Sequence, residues 1–239
     1  MQWIRSLAYN LLMMASVPPF VLVGLFTFPL PRIMRYRYIS LWGRGQMHVL
    51  AWLVGLRHKV HHRERLPKGP AIIFSKHQSA WETFAFQKIF PPQVWVLKRE
   101  LLWVPFFGWG LALTNPIAID RGSGRRAVQQ IVQQGRERLG WGRWIVVFPE
   151  GTRVAPRHHR RFGIGGAALA AETGYPVVPV AHNAGSFWPR RGFFKRAGTI
   201  DVVIGPMIHT QGKTAEEINR IAEEWIGQEM RRLEGDPLP

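Results

Sequence analysis

The chain contains no cysteine among its 239 residues. Disulfide bonds, zinc sites built on thiolates and catalytic thiol nucleophiles are therefore excluded. Acidic residues are also scarce: the first 63 residues include eight Lys or Arg and no Asp or Glu, and the net charge is +17. A basic surplus of this size attracts nucleic acid or an anionic membrane surface equally well. The surrounding sequence has to distinguish these two partners.

A long stretch without any charge lies near the N-terminus, from Ser6 to Pro31. It is rich in Leu, Met, Val and Phe, has arginine on both sides, and exceeds the roughly 20 residues that a helix needs to cross a bilayer. Pro18 and Pro19 interrupt its middle, so a kinked or re-entrant helix fits better than a straight spanning one. A signal peptide fits poorly because the apolar part is long and lacks a small-residue cleavage site.

A second apolar piece, Met47 to Leu56, is followed by a cluster of basic residues and histidines. We interpret both pieces as membrane-associated, with the second lying in the interface. The basic flanks match the positive-inside tendency and place the rest of the chain in the cytoplasm. The sequence thus predicts an N-terminal membrane-anchoring helical segment at residues 1–65.

From Pro67 onward, short apolar runs alternate with helical stretches, which is typical of an α/β domain. The expected domain therefore covers residues 66–239. Because the apolar runs are continuous rather than alternating, we expect a sheet that is buried on both faces. The predicted strands are Ala71–Phe74, Val94–Leu97, Ile117–Ile119, Trp144–Phe148, Val177–Ala181 and Thr199–Ile204. The clearest predicted helices are Arg125–Leu139 and Thr214–Leu233.

The most chemically distinctive stretch is the predicted strand that ends at Phe74 and leads into a helix start. His77 lies in this turn and Glu82 follows five residues later, so a histidine able to accept a proton is close to a carboxylate that can orient its ring. Ser79 to Glu82 is also a capping-box pattern, and satisfying the helix amides explains Glu82 equally well. A nucleophilic Ser79 is disfavoured because no Gly-x-Ser-x-Gly elbow surrounds it.

Three further stretches place charged residues at the ends of predicted strands, where α/β folds bind ligands. They are Lys98-Arg99-Glu100, Asp120-Arg121-Gly122-Ser123-Gly124 and Glu150-Gly151-Thr152-Arg153. Each has an ordinary explanation, such as an ion pair between Glu150 and Arg153 or a solvated cluster around Lys98. Together with His77 they predict one rim that joins a base to several cations. Such a rim suits a substrate with a hydroxyl to activate and a phosphate to hold.

The remaining histidines raise the question of a metal site. The clustered ones are His58, His61, His62, His158 and His159. Their neighbours are Arg and Lys rather than carboxylates, and none shows the His-x-x-x-His spacing of a helical metal site with an acidic partner. We therefore expect no metal site.

With these residues in view, the sequence resembles the lysophospholipid acyltransferase family, most closely the bacterial 1-acylglycerol-3-phosphate acyltransferases. The similarity spans roughly Pro70 to Pro206 and includes the four family blocks in order. The blocks read His77-Gln-Ser-Ala-Trp-Glu82, Asp120-Arg121, Phe148-Pro-Glu-Gly-Thr-Arg153 and Val177-Val-Pro-Val180. The first block normally ends in Asp, so Glu82 is one methylene longer and needs a different backbone offset to reach the same imidazole nitrogen.

The resemblance implies an α/β fold of acyltransferase type, with a central, mostly parallel sheet flanked by helices. It also implies direct acyl transfer without a metal or a covalent acyl-enzyme. His77 would take the proton from the sn-2 hydroxyl of lysophosphatidic acid as it attacks an acyl thioester, and Glu82 would stabilise the imidazolium. The implied substrate-binding residues are Lys98, Arg121, Glu150, Gly151, Thr152 and Arg153. The implied product is phosphatidic acid, and no cofactor is expected beyond acyl-CoA or acyl-acyl carrier protein as co-substrate.

The resemblance and the basic flanks together predict a protein of the bacterial cytoplasmic (inner) membrane, with its catalytic domain on the cytoplasmic face. Two alternatives stay open: a related acyltransferase acting on another lyso-lipid such as lyso-ornithine lipid, and a non-enzymatic basic protein that binds membranes or nucleic acid. We expect no nucleic-acid partner, because the basic N-terminal part is interleaved with long apolar runs and no zinc, homeodomain-like or RNP-type signature is present.

Overall fold

Seven strands form one mixed sheet in the computed structural model, which describes residues 1–237. The strands are β1 (Leu56–His61), β2 (Ile72–Ser75), β3 (Gln93–Lys98), β4 (Ile117–Ile119), β5 (Trp144–Val147), β6 (Val177–His182) and β7 (Gly198–Ile204). Their order across the sheet is β1-β7-β6-β2-β5-β3-β4. Neighbouring strands are parallel except for the antiparallel pair β6 and β7. The predicted mostly parallel sheet is confirmed.

Helices cover both faces of this sheet. Within the described part of the chain, the α-helices are α1 (Gln2–Leu25), α2 (Arg32–Val49), α3 (Trp81–Ile89), α4 (Phe107–Leu113), α5 (Arg125–Gly140), α6 (Gly165–Thr173), α7 (Ala184–Phe187) and α8 (Ala215–Glu234). Residues of α1, α2 and α3 form one apolar core with the sheet, and residues of α5, α6 and α8 form the other. Burial on both faces explains why β2, β5 and β6 are apolar along almost their whole length.

Six of the strands match the predicted ones to within one residue at each end, and β1 is the exception. It reads Leu-Arg-His-Lys-Val-His and pairs along its length with β7 at the edge of the sheet. An edge strand tolerates charged side chains that face water, so β1 has no apolar run to identify it. The segment 1–65 is therefore not entirely helical, because the first strand of the sheet lies on its side of the predicted boundary.

The second apolar piece, Met47 to Leu56, does not form an interfacial helix. It comprises the end of α2, a π-helical turn at Leu50–Val54 and the first residue of β1. Met47, Leu50 and Leu56 are buried in the core formed with α1 and α3, and Trp52 is exposed. The interpretation of this piece as membrane-associated is wrong, because burial inside the protein accounts for its apolar residues.

The N-terminal apolar stretch forms α1, one helix that continues through both of its prolines. By length and composition it could cross a membrane. Its N-terminal half is nevertheless bound to the α/β domain through polar contacts. The Gln2 side-chain amide donates to the carbonyl oxygens of Val54 (3.1 Å) and Lys195 (3.0 Å), and Asn10 donates to that of Phe193 (3.0 Å).

The C-terminal half of α1 also contacts the rest of the protein. Gly24 lies against Tyr38 of α2 and Leu113 of α4, and Gly110 of α4 lies against Val21 of α1. The small residues let these helices approach each other closely. The two ends of α1 are thus held by different parts of the molecule, and the helix lies along the domain.

Candidate active site

Five parallel strands, β6, β2, β5, β3 and β4, end at the same edge of the sheet. Candidate residues follow four of these ends: His77 after β2, Lys98 at the end of β3, Arg121 after β4 and Glu150 after β5. The fifth strand, β6, ends at His182, which was not predicted as a site residue. The topology therefore places these residues along one rim, as the strand-end pattern predicts.

His77 is held by the loop that follows β5. Its ring stacks on Phe148, with ring centroids 3.9 Å apart and planes inclined by 14°. Its backbone N–H donates to Glu150 Oε2 (3.0 Å), and its carbonyl oxygen accepts from the Val154 N–H (2.7 Å). The side chain keeps 15% of its surface exposed. His77 is thus a fixed imidazole that can still be reached from the rim.

Glu82 lies at the start of α3 and is completely buried. Its Oε1 accepts from the backbone N–H groups of Gln78 (2.6 Å) and Ser79 (2.8 Å), and the same oxygen is 3.6 Å from His77 Nδ1. Glu82 therefore holds the turn that leads into α3 and also faces the imidazole, while the N-cap position of α3 itself is Ala80, without a side-chain cap. The buried Ser79 hydroxyl accepts from the Trp81 N–H.

The electrostatics of this pair favour an ionised carboxylate. Burial by itself raises the pKa of Glu82, but the rings of His77 and His182 and the Gln78 N–H together outweigh it and hold that pKa below its usual value. A charged Glu82 can stabilise a positive charge on the His77 ring. The 3.6 Å separation is longer than a hydrogen bond, as is common for catalytic pairs before the substrate binds.

Glu150 faces the interior of the protein. Its Oε1 is 2.5 Å from Lys76 Nζ, its Oε2 accepts from the His77 N–H, and Lys76 Nζ also donates to the His158 carbonyl oxygen (3.0 Å). Burial raises the pKa of Glu150, and the nearby Lys76 charge opposes that shift. Its ion-pair partner is Lys76 rather than Arg153. Both oxygens of Glu150 thus contact the strand end that carries His77, and its contact with substrate stays a prediction.

The predicted cations differ in how closely they approach the loop that follows β5. Arg121 donates through Nη1 to the carbonyl oxygen of Gly151, a residue whose φ of +70° favours glycine. Arg153 lies in the same loop, and its buried Nε has no hydrogen-bond partner within residues 1–237. Lys98 is half exposed and lies 3.3 Å from Glu100. The loop after β5 thus contains Gly151 and Arg153, is bound by Arg121 and contacts His77. Lys98 instead pairs with Glu100, two residues further along the chain.

Burial and two charged neighbours determine the electrostatic environment of Arg121. Burial lowers the pKa of Arg121, the charge of Glu100 opposes this shift, and Arg160 adds to it. Asp120, by contrast, accepts from the Gly122 N–H (3.0 Å) and so caps the turn that follows β4. Thr152, between Gly151 and Arg153, is partly buried.

Sequence reasoning missed three residues of the site: Lys76, Phe148 and His182. His182 is the last residue of a predicted apolar strand, so the strand-end rule applied to the other strands would have identified it. Lys76 gave no comparable signal, because a lysine before a turn is ordinary. Phe148 appeared only as the first residue of the third family block, without a role of its own. Their roles depend on which strands are neighbours in the sheet.

The sequence matches the family model described as Acyltransferase over residues 57–183. It is 44% identical over 237 residues to the 1-acyl-sn-glycerol-3-phosphate acyltransferase of Pseudomonas aeruginosa, which covers 97% of this chain and 92% of that protein. The 1-acyl-sn-glycerol-3-phosphate acyltransferase of Saccharomyces cerevisiae is 34% identical over 182 residues, covering 74% of this chain and 59% of the yeast protein.

The fold matches that of a solved relative. The crystal structure of the 1-acyl-sn-glycerophosphate (LPA) acyltransferase from Thermotoga maritima superposes with a TM-score of 0.80 over 100% of this chain and 98% of that one, at 20% sequence identity. At this identity the similarity demonstrates a shared fold. The family-model match extends over more than half of the 239 residues, and the Pseudomonas relative aligns with nearly all of them. The chain therefore belongs to the acyltransferase family.

Proposed function

We propose that this O-acyltransferase moves an acyl chain from an acyl thioester to the sn-2 hydroxyl of 1-acyl-sn-glycerol-3-phosphate (lysophosphatidic acid), which gives phosphatidic acid for phospholipid biosynthesis. The main support is the His77–Glu82 pair, placed on the same rim as Arg121 and Arg153. The printed names of the bacterial and yeast relatives point to the same acceptor. A base beside fixed cations suits an acceptor that has both a hydroxyl and a phosphate.

In this reaction, His77 acts as the general base. Its Nδ1 faces Glu82, so Nε2 is the nitrogen that accepts the proton of the acceptor hydroxyl. The hydroxyl oxygen then attacks the thioester carbonyl carbon, the carbon–sulfur bond breaks, and the imidazolium returns the proton to the departing thiolate. The products are the new ester and a free thiol. Glu82 stabilises the imidazolium while the proton resides on it.

The acceptor phosphate binds the arginines in this proposal. Arg121 is held in place by the Gly151 carbonyl oxygen, and Arg153 has a buried Nε–H that is not used within the described residues. Guanidinium groups can hold phosphate oxygens through two parallel hydrogen bonds, which fixes the orientation of the acceptor. Lys98, half exposed at the end of β3, contributes charge at longer range. Thr152 and Gly151 belong to the same loop as Arg153, after β5.

We also propose that the protein works on the cytoplasmic face of the bacterial inner membrane, with α1 lying in one leaflet. The side chains of Gln2, Ser6 and Asn10 bind the α/β domain, and a helix that crossed both leaflets would have to give up these contacts. The opposite side of α1 is exposed and apolar, including Leu11 and Met14. Such a helix resembles an interfacial anchor.

A second apolar surface lies beside α1. We define the β3–β4 apolar segment as residues 101–109, which connect β3 to β4 around the start of α4. Its exposed apolar residues are Leu101, Trp103, Val104, Phe107 and Trp109. Lys98 and Arg99 precede it directly. Aromatic side chains next to basic ones are typical of the membrane interface. This arrangement would place the rim at the level of the lipid headgroups.

A transfer assay tests the function directly. Purified wild-type protein and His77→Ala are incubated in detergent micelles with radiolabelled lysophosphatidic acid, and in parallel with lyso-ornithine lipid and with other lysophospholipids. Each acceptor is combined with acyl-CoA and with acyl-acyl carrier protein. We expect labelled phosphatidic acid from the wild type with at least one donor and none from the variant. Preferential acylation of an acceptor without a terminal phosphate would contradict the proposal and favour a related acyltransferase.

A further inference from the structure

Both polar groups of the peptide unit between Lys76 and His77 are hydrogen-bonded. Its N–H donates to Glu150 Oε2 (3.0 Å), and its carbonyl oxygen accepts from His182 Nε2 (2.9 Å) as well as from the Ser75 hydroxyl (2.9 Å). Parallel pairing of β2 with β6 produces this arrangement, because Ser75 lies opposite Val180 and His182 ends the partner strand two residues later. His182 thus contacts the backbone from which the His77 ring projects.

The hydrogen of the His182 ring can be assigned from its partners. Nδ1 accepts from the Ala184 backbone N–H (3.3 Å), so the ring hydrogen is on Nε2. That Nε2–H points toward the Lys76 carbonyl oxygen and lies 3.5 Å from Glu82 Oε1. Burial is the main cause that lowers the pKa of His182, and the charges of His77 and Lys76 act in the same direction against that of Glu82. The ring is therefore a neutral donor and leaves the negative charge of Glu82 for His77.

Glu82 is held entirely through one oxygen. The N–H groups of Gln78 and Ser79, the His182 ring and the His77 ring all converge on Oε1, while the buried Oε2 has no hydrogen-bond partner within residues 1–237. Two of these four groups are backbone amides of the same turn. His182 comes from a different strand, β6, and its Nε2 lies 3.5 Å from Oε1, so it links the position of the carboxylate to the centre of the sheet.

We propose that His182 is a positioning residue for the acyl transfer. Its Nε2–H donates to the Lys76 carbonyl oxygen and lies beside the Glu82 carboxylate, and through these contacts it sets the orientation of His77. This inference rests on the proposed function. His182 itself is completely buried between the rings of Trp81 and Phe86, so it acts on the substrate only through His77.

Two amide substitutions separate this role from a packing role. In His182→Gln the side-chain nitrogen can occupy the place of Nε2, donate to the Lys76 carbonyl oxygen and lie beside Glu82. In His182→Asn the shorter amide can replace Nδ1 but cannot reach Glu82 or the Lys76 carbonyl oxygen. We expect kcat to fall about 10- to 100-fold in the Asn variant, since small misplacements of a catalytic group cost this much, and to stay within roughly fivefold of wild type in the Gln variant. KM for donor and acceptor should change little in both.

The pH profile adds a readout that packing alone would not move. In His182→Asn the imidazolium of His77 loses a well-placed counter-charge, so the acidic limb of kcat/KM should move to lower pH. His182→Gln should keep the wild-type limb. His61→Asn is the matched control, because His61 pairs with Asp201 (2.7 Å) between the edge strand β1 and β7 and contacts none of the rim residues described above. Its kcat should equal that of wild type.

The outcomes are distinct. Equal kcat in the Asn and Gln variants, at equal folded fractions by thermal unfolding, would overturn the positioning role, and so would a folded Gln variant with less than about a tenth of wild-type kcat. Failure of both variants to fold would assign His182 to the fold and also overturn the proposal. If His182→Asn alone does not fold, an active Gln variant with an unshifted acidic limb supports it. An inactive wild-type protein would instead refute the proposed function itself.

Discussion

At Glu82, a single carboxylate oxygen accepts two backbone N–H groups and faces two imidazole rings. The backbone N–H groups of Gln78 and Ser79 hold the Glu82 side chain in place, although its Oε1 is 3.6 Å from His77 Nδ1. The extra methylene relative to Asp is compatible with this geometry, because the carboxylate reaches back over the turn to the N–H of Gln78. The charge of Glu82 and its position can therefore be tested separately.

We expect His77→Ala to reduce kcat by about 10³-fold or more, because general-base catalysis contributes on the order of 10² to 10⁴. Glu82→Gln keeps the size of the side chain and an oxygen for the two amides but removes the charge, so a loss of about 10- to 100-fold is expected. Steady-state kinetics of variants with wild-type thermal unfolding would measure both effects. Full activity of purified His77→Ala would refute the mechanism.

Arg153 provides a second test at the level of one side chain. If its guanidinium holds the acceptor phosphate with two hydrogen bonds, Arg153→Lys should raise KM for lysophosphatidic acid about tenfold and leave kcat nearly unchanged. The KM for the acyl donor is the internal control, since the donor does not share this contact. An unchanged acceptor KM would remove Arg153 from phosphate binding.

Among the helices, α1 has one buried lysine among its contacts with the α/β domain. Lys195 Nζ donates to Asn10 Oδ1 (2.6 Å) and to the Phe193 carbonyl oxygen (3.0 Å). It also lies over the rings of Tyr9 and Trp188, 5.4 Å and 4.3 Å from their centroids. No acid neutralises it in these contacts. Burial lowers the pKa of Lys195 to about 8.

This lowered pKa predicts how stability depends on pH. The usual pKa of a lysine is 10.5, so between pH 8 and 10.5 the unfolded chain holds a proton that folded Lys195 has released. The folded state therefore gains stability as pH rises through this window, and below pH 8 it retains the full cost of burying the charge. We expect the difference in unfolding temperature between Lys195→Met and wild type to shift in favour of wild type from pH 8 to pH 10. A constant difference would mean that the two aromatic rings keep the ammonium charged.

Over the molecule as a whole, the net charge of +17 and the exposed apolar residues of α1 and of the β3–β4 apolar segment act together. Both surfaces lie on the side of the sheet that α1 and α2 cover, since α4 contacts both of these helices. Long-range charge attracts an anionic bilayer, and apolar side chains then provide contacts that salt does not screen. Binding of nucleic acid would use the charge attraction without the apolar contacts.

Vesicle flotation tests this combination. Wild-type protein should bind anionic vesicles more strongly than neutral ones and should remain partly bound at high salt. The double variant Trp103→Asp with Phe107→Asp should partition at least about tenfold less, because two apolar side chains no longer enter the interface. The double variant Gln129→Asp with Gln133→Asp is a control for the two added negative charges, since both residues are exposed on α5 at the opposite face of the sheet. Equal binding of wild type and the double variant would remove the segment from the membrane contact.

Much of the fold and part of the site could be predicted from local patterns. Continuous apolar runs identified the strands that are buried on both faces, and three-and-four spacing identified α5 and α8. At the start of α8, the Thr214 side chain accepts from the Glu217 N–H in a capping box. The spacing of His77 and Glu82 was sufficient to bring them to one helix start. Each of these features involves residues that are near neighbours in the chain.

The sequence by itself therefore determined the strands with apolar runs, the His77–Glu82 pair and the family. Only the tertiary structure decided that β1 joins the sheet, that Met47 to Leu56 is core, and that Lys76 rather than Arg153 pairs with Glu150. It also decided that His182 holds the Lys76 carbonyl oxygen. The partners in these last two contacts are 74 and 106 residues apart. They meet because β2 lies between β5 and β6, and strand order is a property of the packed sheet that local sequence does not encode.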